Sequence, residues 1–265
     1  MVMKVVELEN LLLVARRVLD GMRKGSAAAA NEMRRMIPEL QRAADSGDSE
    51  FQELIGGIAL EYLKDYGTAY YYLRAAAESG NASAQRGLAF MLFEGLGVQK
   101  DKRKAVKLFE AAAESGDRAA KFNLAGVLLR GDDATRDEER AVRLLREASD
   151  AGMDAASRQL GEIALAENDY FEARKVLSLA VGQGSYRALM NLGMMCRDGI
   201  GGDVDRVQAL TCFLKLLDVG DGDGLHEAHA MVPEMTDQEV KEAALKAGRV
   251  SEGGVLIGNR RKYSY

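Results

Sequence analysis

Apolar residues recur along this chain at the three- and four-residue spacing of amphipathic helices, and glycines interrupt the pattern at regular intervals. Valine, isoleucine and threonine show no period of two, so strands are not predicted. Successive glycines that end a helical run are 28 to 36 residues apart. These glycines are Gly47, Gly80, Gly116, Gly152, Gly184, Gly220 and Gly248. A helical repeat of this length predicts a solenoid.

Three further positions keep a constant distance from the glycines. An alanine stands eleven residues before five of them, an aspartate stands fifteen residues before, and a leucine or isoleucine with a small residue follows eight residues after a glycine. The positions are Ala69, Ala105, Ala141, Ala173 and Ala209; Asp65, Asp101, Asp137, Asp169 and Asp205; and Ile55-Gly56, Leu88-Ala89, Leu124-Ala125, Leu160-Gly161 and Leu192-Gly193.

Each of these positions has a physical role in a pair of antiparallel helices. The aspartate is expected to cap the second helix, and the alanine and the small residue allow close helix contact. The glycine is expected to end that helix in the left-handed conformation. A polar residue near each glycine is expected to cap the next first helix; these residues are Asp48, Asn81, Asp117, Asp154 and Ser185.

Residues 84–116 carry a family resemblance through Ala84, Leu88-Ala89, Leu92, Gly95, Gly97-Val98, Asp101, Ala105, Leu108-Phe109 and Gly116. They resemble the Sel-1-like repeat, a relative of the tetratricopeptide repeat, and residues 185–220 are similar to it as well. The resemblance extends over roughly residues 48–248. It implies an all-α superhelical solenoid of antiparallel helix pairs that binds proteins. Units 48–80 and 153–184 have a shortened loop between helices, and Gly131-Asp132-Asp133-Ala134 departs from the loop pattern of the family.

The chain therefore divides into three predicted segments. Residues 1–47 form a helical cap or a degenerate first repeat, because a terminal repeat has no neighbour to cover its apolar face. Residues 48–248 form five repeats and C-terminal capping helices. Residues 249–265 lose the pattern, and the two alternatives for them are a disordered tail and a segment that folds back on the array.

Composition and charge exclude several classes of protein. A net charge of −5 and a pI near 5.3 argue against nucleic-acid and anionic-membrane binding. No apolar stretch approaches membrane-spanning length, and the N-terminus does not resemble a secretory signal. Cys196 and Cys212 are the two cysteines, which indicates a reducing, cytoplasmic compartment.

The motifs that bear chemistry are weak. His226 and His229 are three residues apart, whereas a zincin helix needs a spacing of four. A phosphate-binding loop follows a strand, whereas no strand is predicted before Gly95-Leu96-Gly97. Cys196 and Cys212 fall on leucine positions of the repeat, which predicts burial in the core. No catalytic, cofactor-binding or metal-binding residue is predicted.

The resemblance places the binding surface on the concave face, which the first helix of each pair lines in tetratricopeptide-like arrays. The predicted partner-binding residues are Arg86, Phe90, Phe93, Phe122, Leu129, Arg130, Arg158, Glu162, Tyr186, Met190, Met194 and Arg197, and Glu50, Glu53 and Glu61 hold equivalent positions in the first unit. Aromatic, methionine and arginine side chains are enriched in interfaces. The alternative is that the phenylalanines and methionines complete packing between repeats.

Arginine binds carboxylates in a bidentate manner, so the predicted partner is an apolar, partly acidic protein or peptide. The leading hypothesis is a non-enzymatic scaffold, adaptor or regulator of a bacterial type. The alternatives are an immunity protein that neutralises one toxin or enzyme and, more remotely, a hydrolase of the β-lactamase-like type that occurs among cysteine-rich relatives. The chain lacks the repeated cysteines of those relatives and an S-x-x-K element in a plausible frame.

Overall fold

Residues 2–131 and 136–262 are described by a computed structural model, which places side chains over residues 7–131 and 136–259. Throughout these ranges the chain is helical and contains no strand, which confirms the all-α fold class. It divides into two compact units, Met1–Glu138 and Glu139–Tyr265. Of the helices in the described ranges, none combines the length and the apolar character needed to span a membrane.

The first unit is a stack of helix pairs joined by short turns. Its helices are α1 (Val2–Arg23), α2 (Ala27–Asp45), α3 (Ser49–Ile58), α4 (Tyr66–Glu78), α5 (Ala82–Glu94), α6 (Lys102–Glu114) and α7 (Arg118–Leu129). A π-helix over Ala59–Leu63 continues α3. Within this unit α1 packs on α2, α3 on α4, and α5 on α6, so the helices pair as the solenoid class requires.

The second unit repeats the arrangement. Its helices are α8 (Glu138–Asp150), α9 (Asp154–Ala166), α10 (Tyr170–Gly182), α11 (Leu189–Asp198), α12 (Arg206–Leu216), α13 (Asp223–Met231), α14 (Asp237–Ala247) and α15 (Val250–Lys262). Short 3-10 turns precede α11 at Tyr186–Ala188 and follow α12 and α13 at Leu217–Val219 and Val232–Glu234. In this unit α9 packs on α10 and α11 on α12.

The predicted glycines and small residues behave as their positions require. All seven glycines that end a repeat have positive φ, between 72° and 96°. The five register alanines are fully buried. A Cβ atom on Gly56 would lie 2.7 Å from Leu73 Cγ, so the two helices approach too closely for a side chain at this position.

Most of the predicted helix caps are present. Asp65, Asp101, Asp169 and Asp205 each accept a hydrogen bond from a backbone N–H three residues later. Asp48, Asn81 and Asp117 cap α3, α5 and α7 in the same way.

Two cap predictions were wrong. Asp154 lies one residue further from its glycine than Asp117 does, so Met153 takes the capping position and Asp154 becomes the first helical residue. Ser185 is buried and caps no amide, because a 3-10 turn instead of an α-helix follows it.

One backbone hydrogen bond closes the turn between the two helices in every repeat, whatever the loop length. The N–H of the register aspartate donates to the carbonyl four residues after the register leucine or isoleucine. The pairs are Asp65 to Ala59, Asp101 to Leu92, Asp137 to Leu128, Asp169 to Ala164 and Asp205 to Cys196, at 2.8 to 3.1 Å. Loops of different length therefore start and end at equivalent positions of the repeat.

The first of these turns must absorb one extra residue. Asp65 follows Ile55 by ten residues, whereas Asp169 follows Leu160 by nine in the other short-loop repeat. A π-helix has one more residue in each hydrogen-bonded turn than an α-helix. The π-helix at Ala59–Leu63 takes up the additional residue, and Lys64 then closes the turn in the left-handed conformation, at φ 56°.

The C-terminal segment, for which a disordered tail and a segment folded back on the array were the alternatives, forms the helix α15 as far as Lys262. It packs against α14, with Leu256 and Ile257 buried in the core of the second unit. Residues 263–265, the end of the predicted tail, and the loop residues Asp132–Ala134 lie outside the described residues.

Candidate functional site

The first unit contains a cavity of about 700 Å³ against the first helices α1, α3 and α5. We call it the unit 1 cavity. Its apolar lining consists of Leu19, Leu54, Leu60, Leu73, Phe90 and Leu96, and its charged lining consists of Arg16, Arg23, Glu53, Glu61, Lys64 and Arg86. Tyr66, Ser83, Asn123, Gly57 and Gly87 complete it. An apolar lining with a few polar groups is typical of binding sites.

A glycine on α3 keeps part of the unit 1 cavity open. A Cβ atom on Gly57 would meet no atom within 4 Å, whereas one on the adjacent Gly56 would collide with Leu73. Gly56 therefore faces the packed interior between helices, and Gly57 faces open space. Gly56 is needed for close helix packing, whereas Gly57 leaves volume in the cavity for a ligand.

The π-helix and the residue that follows it contribute three lining residues, Leu60 and Glu61 from the helix and Lys64 after it. Leu60 is buried, and Glu61 and Lys64 are exposed. The inserted residue of the first turn is thus located in the wall of the cavity. π-Bulges are frequent at functional sites because they redirect side chains from a regular helix.

A chain of polar contacts along the cavity links the first helices. Ser83 Oγ donates to Glu53 Oε1 at 2.7 Å, and an Arg86 guanidinium nitrogen donates to Ser83 Oγ at 3.0 Å. Arg86 Nε donates to Asp117 Oδ2 at 2.9 Å, where both side chains are less than one third exposed. Because Asp117 also caps α7, Arg86 supports the start of the next repeat.

The cations that line the cavity differ in their partners. Arg16 pairs with Glu50 at 3.0 Å, and Arg86 pairs with Asp117. The side chains of Arg23 and Lys64 form no ion pair or hydrogen bond with any residue in the part of the chain that the structure describes. Two cationic side chains at the cavity are therefore available to a ligand.

The residues predicted for the concave face of the first unit separate into two groups. Arg86 and Phe90 line the cavity with Glu53 and Glu61, and the Phe90 side chain is 41% exposed. Outside the cavity are Phe93, Phe122, Leu129 and Arg130. The first three of these are half-buried, and Arg130 Nε donates to the Gly126 carbonyl at 3.1 Å.

The residues predicted in the second unit differ in their surroundings. Arg158 pairs with Glu162 along α9, and Arg197 pairs with Asp198 and Glu227. Met190 packs against the core. Tyr186 and Met194 are exposed, at 48% and 39%.

The repeat pattern did not predict three of the charged residues that line the cavity, Arg16, Arg23 and Lys64. The first two belong to α1, which precedes the recognisable register. Lys64 belongs to the shortened loop, where the repeat pattern has no equivalent position. The one available signal was the extra residue between Ile55 and Asp65.

The candidate nucleophiles are poorly placed for catalysis. Burial raises the pKa of the Cys212 thiol to about 12, and burial also raises the pKa of the Cys196 thiol. Since the thiolate is the reactive form, both side chains are unreactive near neutral pH. His229 Nδ1 lies 2.9 Å from the Leu225 carbonyl oxygen. Within the described ranges, no three His, Cys, Asp or Glu side chains gather as metal ligands.

Comparison with known proteins agrees with this architecture. The Sel1 repeat model matches four segments, residues 57–81, 82–117, 118–153 and 187–221. The crystal structure of a Sel1 repeat protein from Oxalobacter formigenes is 28% identical, with a TM-score of 0.67 over 75% of this chain and 60% of that protein. The chain thus spans less than two thirds of that protein's length.

A second solved structure has the same fold at lower sequence identity. It is a protective antigen present in uropathogenic Escherichia coli strains, which displays a Sel1-like repeat fold. It is 18% identical, with a TM-score of 0.56 over 96% of this chain and 67% of that protein. A search of the curated proteins found no match.

Proposed function

We propose that the chain, which is a Sel1 repeat protein, is a non-enzymatic adaptor or regulator that binds a segment of a partner protein in the unit 1 cavity. Sel1 repeat proteins generally mediate protein–protein interactions. The proposal rests on one combination. The cavity has an apolar lining that is open beside Gly57, and it contains two cations, Arg23 and Lys64, whose side chains have no partner in the described residues. The partner segment is apolar and partly acidic.

The apolar part of the segment would occupy the volume beside Gly57, Leu54 and Phe90. Burial of apolar surface supplies about 25 cal/mol per Å², so one bulky side chain in this volume contributes about 1.5–3 kcal/mol. The exposed Phe90 ring adds an aromatic contact of the kind that often dominates interfaces. Such a site binds its partner through complementary shape and charge alone and needs no catalytic group, as expected for a scaffold.

The location that we propose is the cytoplasm. Both cysteines are free and buried, and a protein of a reducing compartment keeps its thiols in this state.

The experiment fills the cavity from within. Gly57→Phe places a ring in the open volume, and Gly182→Phe is the matched control, because a Cβ atom on Gly182 at the end of α10 also meets nothing within 4 Å. Tagged wild type and both variants are used for affinity capture from the native host. We expect wild type and Gly182→Phe to capture the same protein and Gly57→Phe to lose it.

Circular dichroism and thermal unfolding must first show that all three proteins are folded to the same extent. Equal recovery of the partner by the folded Gly57→Phe protein would show that the unit 1 cavity is not the binding site.

A further inference from the structure

We propose that the unit 1 cavity binds a short extended segment whose carboxylate is held by Arg23 and Lys64. This inference rests on the proposed function and specifies its ligand. It is supported by the unpaired cations of the lining, the left-handed conformation of Lys64 and the size of the cavity.

Two cations of the lining have no ion-pair partner in the described residues. Four cations and two carboxylates line the cavity. Arg16 and Arg86 have carboxylate partners, and Glu53 accepts a hydrogen bond from Ser83. The remaining charged groups are the cations Arg23 and Lys64 and the carboxylates Glu53 and Glu61, and no ion pair joins either carboxylate to either cation in the described residues. Each of these two cations can donate hydrogen bonds to a carboxylate of the ligand.

Arg23 and Lys64 line the cavity from two consecutive helix pairs. Arg23 is the last residue of α1, and Lys64 follows the π-helix that ends the first helix of the next pair. Both side chains line one cavity, and both are exposed. A carboxylate between them can accept hydrogen bonds from the guanidinium and the ammonium group, and charge-assisted hydrogen bonds of this kind are the strong ones.

Lys64 occupies a backbone conformation that its residue type disfavours. Its φ of 56° lies in the left-handed region, which costs a side chain with a Cβ atom free energy. At the equivalent place before the register aspartate, the other short-loop repeat has Asn168, at φ 62°, and asparagine tolerates this region better than most residues. Strained residues of this kind cluster at binding sites, where function maintains the unfavourable choice.

The inserted residue lies in the helical turn next to the lysine. The hydrogen bond from Asp65 N–H to the Ala59 carbonyl fixes the end of the turn. The extra residue must therefore bulge within the last turn of the first helix, where Leu60, Glu61 and Lys64 line the cavity. In the repeat with Asn168 the turn is one residue shorter and contains no π-helix.

The size of the cavity limits what it accepts. A volume of about 700 Å³ is in the range of sites for small ligands. An α-helix with its side chains is about 10–12 Å wide, so several helical turns need more room than the cavity has. A few residues of extended chain, with one apolar side chain toward Gly57 and one carboxylate toward Lys64, fit the volume and the chemistry.

The test uses a phage-displayed library of random heptapeptides as the probe. Peptides are selected on immobilised wild-type protein, and those that also bind Gly57→Phe are removed, so the remaining peptides bind in the cavity. We expect these peptides to be enriched in aspartate and glutamate together with one large apolar residue. Enrichment without acidic residues, or the absence of any peptide specific for wild type, would overturn the inference.

Two variants at position 64 then test the role of the lysine. Lys64→Glu should weaken the selected peptides by about tenfold or more, which corresponds to the loss of a charge-assisted contact. Lys107→Glu is the matched control, because Lys107 is exposed on α6 and does not line the cavity. Lys64→Gly suits the left-handed turn, so it should raise thermal stability while it weakens the same peptides.

Unchanged peptide affinity in Lys64→Gly and Lys64→Glu would overturn the inference. This outcome differs from a failure of the proposed function. A partner that is lost in Gly57→Phe, but whose binding is insensitive to both substitutions of Lys64, would leave the cavity as the binding site and refute only the acidic ligand.

Discussion

Two adjacent glycines on α3 should respond in opposite ways to the same substitution. In Gly56→Ala the new Cβ atom would lie 2.7 Å from Leu73 Cγ and 3.1 Å from the Leu73 backbone nitrogen. Leu73 is only 2% exposed, so it has little room to move. In Gly57→Ala the Cβ atom meets no atom within 4 Å. The helix and the substitution are the same, and only the surroundings differ.

The magnitudes follow from two effects. Replacing glycine by alanine inside a helix contributes about 0.5–1 kcal/mol of stability. Overpacking a buried contact costs about 1–3 kcal/mol. Gly57→Ala should therefore stabilise the protein by about 0.5–1 kcal/mol. The helix contribution cancels between the variants, so Gly56→Ala should be less stable than Gly57→Ala by about 1–3 kcal/mol.

The assay is urea unfolding followed by circular dichroism, with the transition midpoints of wild type and the two variants compared. Gly161→Ala provides a second case in the other unit, since a Cβ atom there would lie 2.7 Å from two Leu177 side-chain atoms. It should also lower the midpoint. Equal midpoints for Gly56→Ala and Gly57→Ala would refute the assignment of Gly56 to the helix contact and of Gly57 to the cavity.

Two other consequences of the fold can be measured. Asp101→Ala removes the side chain that caps α6 and should lower the free energy of unfolding by about 0.5–2 kcal/mol in the same urea titration. Asp154→Ala removes no cap and should lower it by less than about 0.5 kcal/mol. Equal losses of stability in the two variants would contradict the cap assignments. Burial raises the pKa of the Cys212 thiol in the folded protein from 9.0 to about 12. Above pH 9 the thiol therefore ionises in the unfolded chain before it ionises in the folded protein, so the free energy of unfolding should fall as the pH rises. Stability measured between pH 8 and 11 should therefore fall more steeply in wild type than in Cys212→Ala, by up to about 1.4 kcal/mol per pH unit, and parallel profiles would show that the thiol is not buried in its neutral form.

The helix pairs were predictable because their determinants are local and repeated. A glycine that must adopt positive φ, an alanine without room for a larger side chain and an aspartate that caps a helix each restrict the residue type at a constant spacing. The cap at Asp154 was mispredicted for a related reason. One residue between the glycine and the aspartate is enough to move the carboxylate from the cap into the helix.

The candidate site was only partly predictable. The register placed Arg86, Phe90, Glu53 and Glu61 on the first helices, and all four line the cavity. It did not indicate that Arg86 binds Asp117, because that contact joins residues 31 positions apart. The extra residue before Asp65 is visible in the sequence, but its spacing alone does not show whether it lengthens a loop or widens a helix.

The central claim is that a partner binds in the unit 1 cavity. The most direct measurement is an isothermal titration of the purified captured partner into wild type, Gly57→Phe and Gly182→Phe. Filling the open volume beside Gly57 should abolish binding, while the same side chain at Gly182 should leave the dissociation constant unchanged. A Gly57→Phe protein that is folded and binds with wild-type affinity would contradict the claim.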